Sequence, residues 1–261
     1  MKIIRNHRAR AAMVAGIAAL LATCLPTAAG SATAPSSGST ATQLQDDVSA
    51  LVAAGAPGAV VIRRRGTRVE QFAGGVAQIA SQIPMSPADR FRIGSLTKTY
   101  VATVMLQLVA AHKVALTDSV QRWLPGLVPG GARVTIRELL NHSSGLPEFD
   151  DDPRFLKPYL SGHLRYHWSP RALVKIAVSH KPVFAPGTRY SYSNTNYLLA
   201  GLVIEAVTRD SLNAQLSKRI FGPLHLTATT FQARAGLPAP YAHGYFTFCK
   251  PPPTDVSDLD P

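Results

Sequence analysis

The chain has 261 residues, enough to bury one or two hydrophobic cores, and its composition is 46% apolar and 16% charged. That balance is typical of a globular protein and excludes a disordered one. The formal net charge of +12 is spread along the sequence, apart from a cluster at Arg63, Arg64 and Arg65. No basic helix with interleaved aromatic residues is present, so we expect no nucleic-acid partner.

Residues 1–34 have the parts of a secretion signal. Basic residues open the chain, an apolar run follows at residues 11–25, and small residues continue to Ala34. The apolar run is too short and alanine-rich for a stable membrane anchor. We therefore expect a signal peptide that is cleaved between Ala29 and Ala34, a linker at residues 35–40, and a secreted protein of the cell envelope or medium.

An N-terminal helix and a β-hairpin are predicted ahead of a helical region. Apolar residues at helical spacing predict a helix at residues 41–55, and two β-rich runs at residues 59–62 and 67–72 flank a turn. Further helices are predicted at residues 95–112, 120–124, 136–141, 170–180, 196–208 and 211–220.

Capping signals and loop composition refine these boundaries. Thr135 with Glu138 predicts a capping box, and Ser169 followed by Pro170 is typical of a helix start. Residues 146–168, rich in proline, aspartate and aromatic residues, predict a long surface loop. The chain from Phe231 onward predicts loop or weak strand.

Ser95 and Lys98 lie three residues apart at the start of a predicted helix. Residues i and i+3 share one helix face, so the lysine amine can reach the serine hydroxyl. A serine hydroxyl is a weak nucleophile, and an adjacent base is the usual way to activate it. The alternative is a helix-capping serine followed by a solvated lysine. No GxSxG, GxGxxG, phosphate-loop or HExxH motif is present.

Tyr192 and Asn194 lie in a stretch rich in hydrogen-bonding groups that precedes an apolar helix. A tyrosine that faces the serine–lysine pair can pass a proton, and an asparagine amide can both donate to and accept from a peptide-like substrate. The alternative is a tyrosine-rich turn in which Asn194 caps the helix. His142 is interpreted as a structural histidine rather than a catalytic base.

The chain resembles the penicillin-recognising serine hydrolases, which carry a Ser-x-x-Lys motif. The resemblance rests on the segments Phe91–Lys98, Leu140–Leu146 and Tyr190–Asn196, which occur in the order and at the spacing of that family. They are most similar to secreted actinobacterial D-alanyl-D-alanine carboxypeptidases and class C β-lactamases. The resemblance implies an α+β fold in which a helical domain lies beside an antiparallel sheet flanked by helices.

The resemblance also implies roles for individual residues. Ser95 would be the nucleophile, Lys98 its base and Tyr192 the acid/base of acyl transfer. Asn194 would contact the substrate amide, and Phe155 lies near a family aromatic residue that walls the pocket. No metal or organic cofactor is implied.

The family carries a further motif, His or Lys followed by Thr/Ser-Gly, on a sheet strand well downstream. No such triplet follows Asn196; His243-Gly244 lacks the Thr/Ser and comes too early. We therefore expect residues 41–261 to form a serine hydrolase domain that is incomplete at its C-terminus, with the C-terminal sheet strands missing.

The function that this resemblance implies is a secreted serine D-alanyl-D-alanine carboxypeptidase that forms an acyl-enzyme on Ser95. Its partners would be peptidoglycan peptides or β-lactams, and we expect a monomer. One alternative is a β-lactamase or esterase that uses the same site. The other is a truncated, inactive paralogue.

Overall fold

The structure is a computed structural model. Its first described part consists of a helix and a β-hairpin. The structure describes residues 40–163, 165–232, 236–246 and 253–257. The predicted signal peptide, residues 1–34, and all but the last residue of the predicted linker lie outside the described residues. Thr40 is the N-cap of the first helix, and its side chain accepts a hydrogen bond from the Gln43 N–H.

The predicted helix and hairpin are confirmed, with strands longer than expected. Helix α1 (Ala41–Ala53) precedes strands β1 (Gly58–Arg65), β2 (Arg68–Gln78) and β3 (Ile83–Pro84), which form an antiparallel sheet in that order. In the described part of the chain, β1 pairs on one side only, with β2.

Close contact between α1 and β2 depends on a glycine. Val48 of α1 is fully buried, and a Cβ at Gly74 would lie 2.8 Å from the Val48 side chain. No side chain fits at that distance, so Gly74 allows the helix to lie directly on the sheet.

The helical region follows. Its described helices are α2 (Thr97–Ala110), α3 (Val120–Trp123), α4 (Ile136–Leu140), α5 (Pro153–Leu160), α6 (Pro170–Val178), α7 (Asn194–Thr208) and α8 (Leu212–Leu216). The same region contains 3₁₀ turns at Gly94–Leu96 and Gly131–Arg133 and a π-helical turn at Ser217–Phe221. Two short strands, β4 (Tyr245–Phe246) and β5 (Thr254–Asp255), pair with each other, in agreement with the weak strand predicted there. None of the helices described has the length and apolar character needed to cross a membrane.

Helix α7 is the centre of the main hydrophobic core. It packs against α2, α3, α4, α6 and α8. Its residues Leu199, Val203 and Ile204 are fully buried, as are Val104 and Met105 of α2. A helix whose surface is mostly apolar packs against neighbours on most of its sides. The surrounding helices therefore fix α7, and Asn194 lies at its N-terminal end.

The predicted capping signals are confirmed, but the prediction of a loop throughout residues 146–168 is wrong. The Thr135–Glu138 capping box and the Ser169 N-cap are both present. Helix α5 interrupts the predicted loop, because Asp152 accepts a hydrogen bond from the Arg154 N–H at 2.8 Å and Pro153 takes the first helical position.

Asp152 also ties α5 to the end of α6. Its carboxylate, with a side chain only 5% exposed, accepts from the Arg154 guanidinium and lies 2.7 Å from His180 Nε2. The Arg154 guanidinium beside it holds the pKa of Asp152 far below its usual range. The architecture is α+β, as predicted, with the helical part beside an antiparallel sheet.

Candidate active site

Ser95 and Lys98 meet at the start of α2. Gly94, with φ of +52°, opens the 3₁₀ turn that carries Ser95, and α2 continues directly from that turn. The Lys98 Nζ lies 3.0 Å from the Ser95 Oγ. Ser95 is exposed and Lys98 is half-buried, so the serine hydroxyl is accessible while the lysine beside it is shielded.

Tyr192 and Asn194 join this pair from the opposite side of the site. The Tyr192 Oη lies 2.7 Å from the Ser95 Oγ, and the Asn194 Oδ1 accepts a hydrogen bond from Lys98 Nζ at 2.7 Å. Ser193 holds the N-cap position of α7 and Asn194 is its first residue, so Asn194 is not the cap. The structure thus brings four of the five predicted site residues into one hydrogen-bonded cluster.

The segment 142–146 holds the tyrosine loop in place. Its carbonyl groups accept three backbone hydrogen bonds from residues 183–191, namely Val183 to Gly145 (2.9 Å), Gly187 to Ser143 (2.8 Å) and Ser191 to His142 (3.0 Å). Gly145 has φ of +72°, and a Cβ there would lie 2.1 Å from the Phe184 carbonyl oxygen. Only glycine allows the two backbones to approach so closely.

His142 lies behind Tyr192. The two rings stack with centroids 4.5 Å apart and planes 27° apart. The Ser193 N–H donates to His142 Nδ1 at 3.2 Å, and the Asn196 side-chain amide lies 3.2 Å from the same nitrogen. Burial and the nearby Lys98 charge lower the pKa of His142. This agrees with the interpretation of His142 as a satisfied structural histidine, and it adds a direct contact with the site.

Two carboxyl groups hold Asn194 and were not recognised in the sequence. The Glu148 carboxyl accepts from the Asn194 N–H, and Asp150 Oδ2 accepts from Asn194 Nδ2 at 3.3 Å. Burial raises the pKa of Glu148 to about 7, and burial together with the charge of Asp151 raises the pKa of Asp150. The only feature of the sequence that points to Glu148 as a site residue is its position, two residues after the Leu140–Leu146 segment.

Phe155 belongs to a different cluster. Its ring packs edge-on against Phe149 and Tyr159, at centroid distances of 5.1 and 5.6 Å. Phe149 lies between Glu148 and Asp150 in the chain, so this aromatic cluster supports the loop that holds Asn194. The suggestion that Phe155 walls a substrate pocket stays a prediction.

The cluster has the groups that acyl transfer requires. A serine hydroxyl lies within hydrogen-bond distance of both an amine and a phenol, and an amide oxygen fixes the amine. The Lys98 Nζ also lies 4.9 Å from the centre of the Tyr192 ring. Among the described residues, no group of three or more His, Cys, Asp or Glu side chains is arranged to hold a metal ion.

Known proteins resemble this chain in sequence over much of its length. The Beta-lactamase family matches residues 44–260. Penicillin-binding protein 4* of Bacillus subtilis is 30% identical over 202 residues, which cover 72% of this chain and 41% of that protein. The chain spans between 35% and 41% of the length of curated relatives that it matches.

Two solved structures illustrate the similarity, which extends over most of the chain. A D-stereospecific amidohydrolase from Streptomyces sp. superposes with a TM-score of 0.78 at 39% identity, covering 85% of this chain and 66% of that one. A D-amino acid amidase from Ochrobactrum anthropi SV3, complexed with L-phenylalanine amide, superposes with a TM-score of 0.72 at 29% identity, covering 84% and 62%.

Proposed function

Because the chain belongs to the Beta-lactamase family of serine hydrolases, we propose that it hydrolyses amide bonds on the carbonyl side of D-configured residues. The substrate we favour is the D-alanyl-D-alanine end of peptidoglycan stem peptides, which makes the protein a secreted D-alanyl-D-alanine carboxypeptidase. The observation that carries the proposal is the Ser95 hydroxyl between Lys98 Nζ and Tyr192 Oη, at 3.0 and 2.7 Å.

In the acylation step the Ser95 Oγ attacks the carbonyl carbon of the penultimate D-residue. Acylation requires Lys98 as the free amine, which has one lone pair and two N–H groups. The Asn194 Oδ1, 2.7 Å away, accepts one of these N–H groups, which leaves the lone pair free to take the Ser95 proton. Tyr192 then passes a proton to the departing nitrogen, the C–N bond breaks, and D-alanine leaves.

In the deacylation step a water molecule attacks the ester carbon of the acyl-enzyme. The Lys98 and Tyr192 pair accepts the water proton and returns one to Ser95 Oγ as the ester bond breaks. The serine is restored and the shortened peptide leaves as its carboxylic acid. The same pair serves both steps, since the second is the reverse of the first with water in place of the amine.

A second candidate substrate is a D-amino acid amide, for which the leaving group is ammonia. The likeness to the Streptomyces amidohydrolase, at 39% identity, favours it. Both candidates place the carbonyl of a D-residue against Ser95 and differ in the leaving group. A β-lactamase or an esterase would use the same acylation and differ in how fast the acyl-enzyme hydrolyses.

The test measures covalent labelling of the full-length protein by a fluorescent penicillin. We expect covalent labelling that Ser95→Ala abolishes, because the acyl bond forms to that oxygen. Lys98→Ala should reduce the labelling rate at least about tenfold, which corresponds to ~1.4 kcal/mol of transition-state stabilisation. Tyr192→Phe should slow labelling while the ring stays in place. The matched controls are Ser49→Ala and Lys113→Ala, both exposed and outside the site.

Product analysis then separates the candidates. D-alanine release from a D-alanyl-D-alanine peptide, with a long-lived penicillin label, supports the carboxypeptidase. Ammonia release from D-amino acid amides but not from their L-forms supports the amidase, and rapid penicillin turnover supports a β-lactamase. A wild-type protein that is labelled by no donor and turns over no substrate would be the inactive paralogue.

A further inference from the structure

His142 has an unusual backbone conformation for a buried residue. Its φ is +60°, in the left-handed region that side chains other than glycine rarely adopt. His112 and His225 also have positive φ, at +55° and +52°, but both are exposed. His142 is 9% exposed and lies against the active site. A strained conformation that persists next to a site is held by its surroundings.

The hydrogen bonds at His142 fix its protonation state. A backbone N–H can only donate, so the Ser193 N–H requires a lone pair on His142 Nδ1. The Asn196 amide presents its NH₂ to the same nitrogen, since its Oδ1 accepts from Ser144 Oγ at 2.6 Å. The Ser144 hydroxyl is in turn oriented by the Leu146 N–H, which donates to it. The ring is therefore neutral, with its proton on Nε2.

The groups that face His142 disfavour a second positive charge. Lys98 reaches it from α2, Tyr190 and Tyr192 face it from the loop before α7, and Tyr197 faces it from α7. None of these residues is a carboxylate. A proton on Nδ1 would point at two donors, Ser193 and Asn196, and would place a cation near the Lys98 charge.

The Tyr192 ring depends on this support. Tyr192 is 42% exposed, so a large part of its surface makes no packing contact, and His142 stacks on one face of it. The adjacent Ser193 N–H is the backbone group that His142 holds. Loss of the Nδ1 lone pair would therefore release both the ring and the backbone next to it.

We propose that neutral His142 is a positioning residue that holds the Tyr192 hydroxyl against Ser95, and that protonation of His142 releases Tyr192 and slows acyl transfer. The inference rests on the proposed function for its kinetic part. His142 acts through Tyr192, which contacts the reacting oxygen, and not on the substrate. Activity should therefore fall on the acid side, at a pH below the ordinary histidine pKa of about 6.5.

The first test is independent of activity. In wild-type protein labelled with ¹⁵N-histidine, the nitrogen chemical shifts of His142 should show an unprotonated Nδ1 and a protonated Nε2 at pH 7. During acid titration, the ring signals of Tyr192 should move with those of His142, whereas the ring signals of Tyr159, in the Phe155 cluster, should not. A protonated Nδ1 at pH 7, or a Tyr192 signal indifferent to the titration, would overturn the proposal.

The second test is kinetic and uses matched histidine variants. His142→Phe keeps a ring for stacking but removes the acceptor. We expect it to lower kcat for acylation by about tenfold or more with little change in KM, because the substrate does not contact this residue. It should also lose the acid limb of the pH profile. His112→Phe, at an exposed left-handed position, should behave like wild type.

Burial also raises the pKa of Glu148, to about 7, so Glu148→Gln is measured in parallel and should retain the acid limb. An unchanged pH profile in His142→Phe would assign that limb to another group and refute the inference. If His142→Phe does not fold, as judged by circular dichroism, the wild-type titration of His142 and Tyr192 decides. If wild type reacts with no acyl donor, the proposed function fails, and the same titration still tests the positioning role.

Discussion

Glu148 is the residue near the site whose ionisation the fold alters most clearly. Its carboxyl accepts from the backbone N–H of Asn194 and of Phe149, and burial raises its pKa to about 7 from 4.5. Near neutral pH the Glu148 carboxyl therefore changes its charge. It lies beside Asn194, whose Oδ1 accepts a hydrogen bond from Lys98. The stability of the folded protein is therefore linked to pH at this position.

The sign of the linkage follows from the raised pKa. Between about pH 4.5 and 7 the folded state binds more protons than the unfolded chain at Glu148, so the free energy of unfolding decreases as pH rises through that window. Glu148→Gln removes the ionisation but keeps an acceptor for Asn194. We expect its Tm, relative to wild type, to be higher at pH 8 than at pH 5.

Thermal unfolding at both pH values measures this difference, with Asp47→Asn on the exposed surface of α1 as the control. The control should shift Tm equally at the two values. A Glu148→Gln variant whose Tm difference from wild type is the same at pH 5 and pH 8 would contradict the raised pKa.

At the scale of elements, local signals predicted most of the boundaries. Thr40, Thr135 and Ser169 cap helices whose starts follow from sequence. Helix α5 was missed although Asp152-Pro153 repeats the signal of Ser169-Pro170. Pro158 within the helix and the many aromatic residues concealed it, and Asp152 stabilises it through a distant His180 that no local pattern includes.

The β-hairpin carries an unfavourable pair at its tip. Arg65 and Arg68 lie directly opposite each other across β1 and β2, and both are exposed. Like charges in such a cross-strand pair are destabilising. We expect Arg65→Glu to raise the free energy of unfolding by about 0.2–1 kcal/mol, with the gain reduced at high salt.

Lys113→Glu is the matched control, because it changes the net charge equally at an exposed position outside the hairpin. Urea titrations of both variants at low and high salt provide the comparison. Equal stabilisation by the two substitutions would indicate a general charge effect and not the Arg65–Arg68 pair.

At the scale of the whole molecule, the site joins three segments that are distant in sequence. The Ser95–Lys98 contact is local, and the i,i+3 spacing predicts it directly. The positions of Tyr192 and Asn194 in the site were predicted only from the resemblance to a family. Their hydrogen-bond partners, Ser95 and Lys98, are 97 and 96 residues away in the sequence. The stacking of His142 and the carboxyl groups behind Asn194 depend on how α4, α7 and the intervening loops pack, which no pattern in the sequence specifies.

Gly145 is the point at which two of these segments meet. Gly145→Ala would place a Cβ 2.1 Å from the Phe184 carbonyl oxygen in a left-handed conformation. We expect a loss of about 1–2 kcal/mol for the conformation and a further ~1–3 kcal/mol for the clash, together with slower acylation. Gly162→Ala, also at positive φ but with open space around the added carbon, should cost only the first amount and leave acylation unchanged.

Chemical unfolding and penicillin labelling of the two glycine variants test this difference. Equal losses of stability would show that the contact between residues 145 and 184 is not a constraint on the fold.

The hydrogen bond between Ser95 and Tyr192 closes a loop of 97 residues. We expect such a contact to form late in folding, because closing a long loop costs conformational entropy before the contact can stabilise the chain. During synthesis the serine emerges long before the tyrosine and the helix that carries Asn194. On the proposed function, the nascent chain holds Ser95 without Tyr192 and Asn194, and the complete site for acyl transfer arises only when α7 docks. We therefore expect the rate at which acylation recovers after dilution from denaturant to report the rate at which that helix docks.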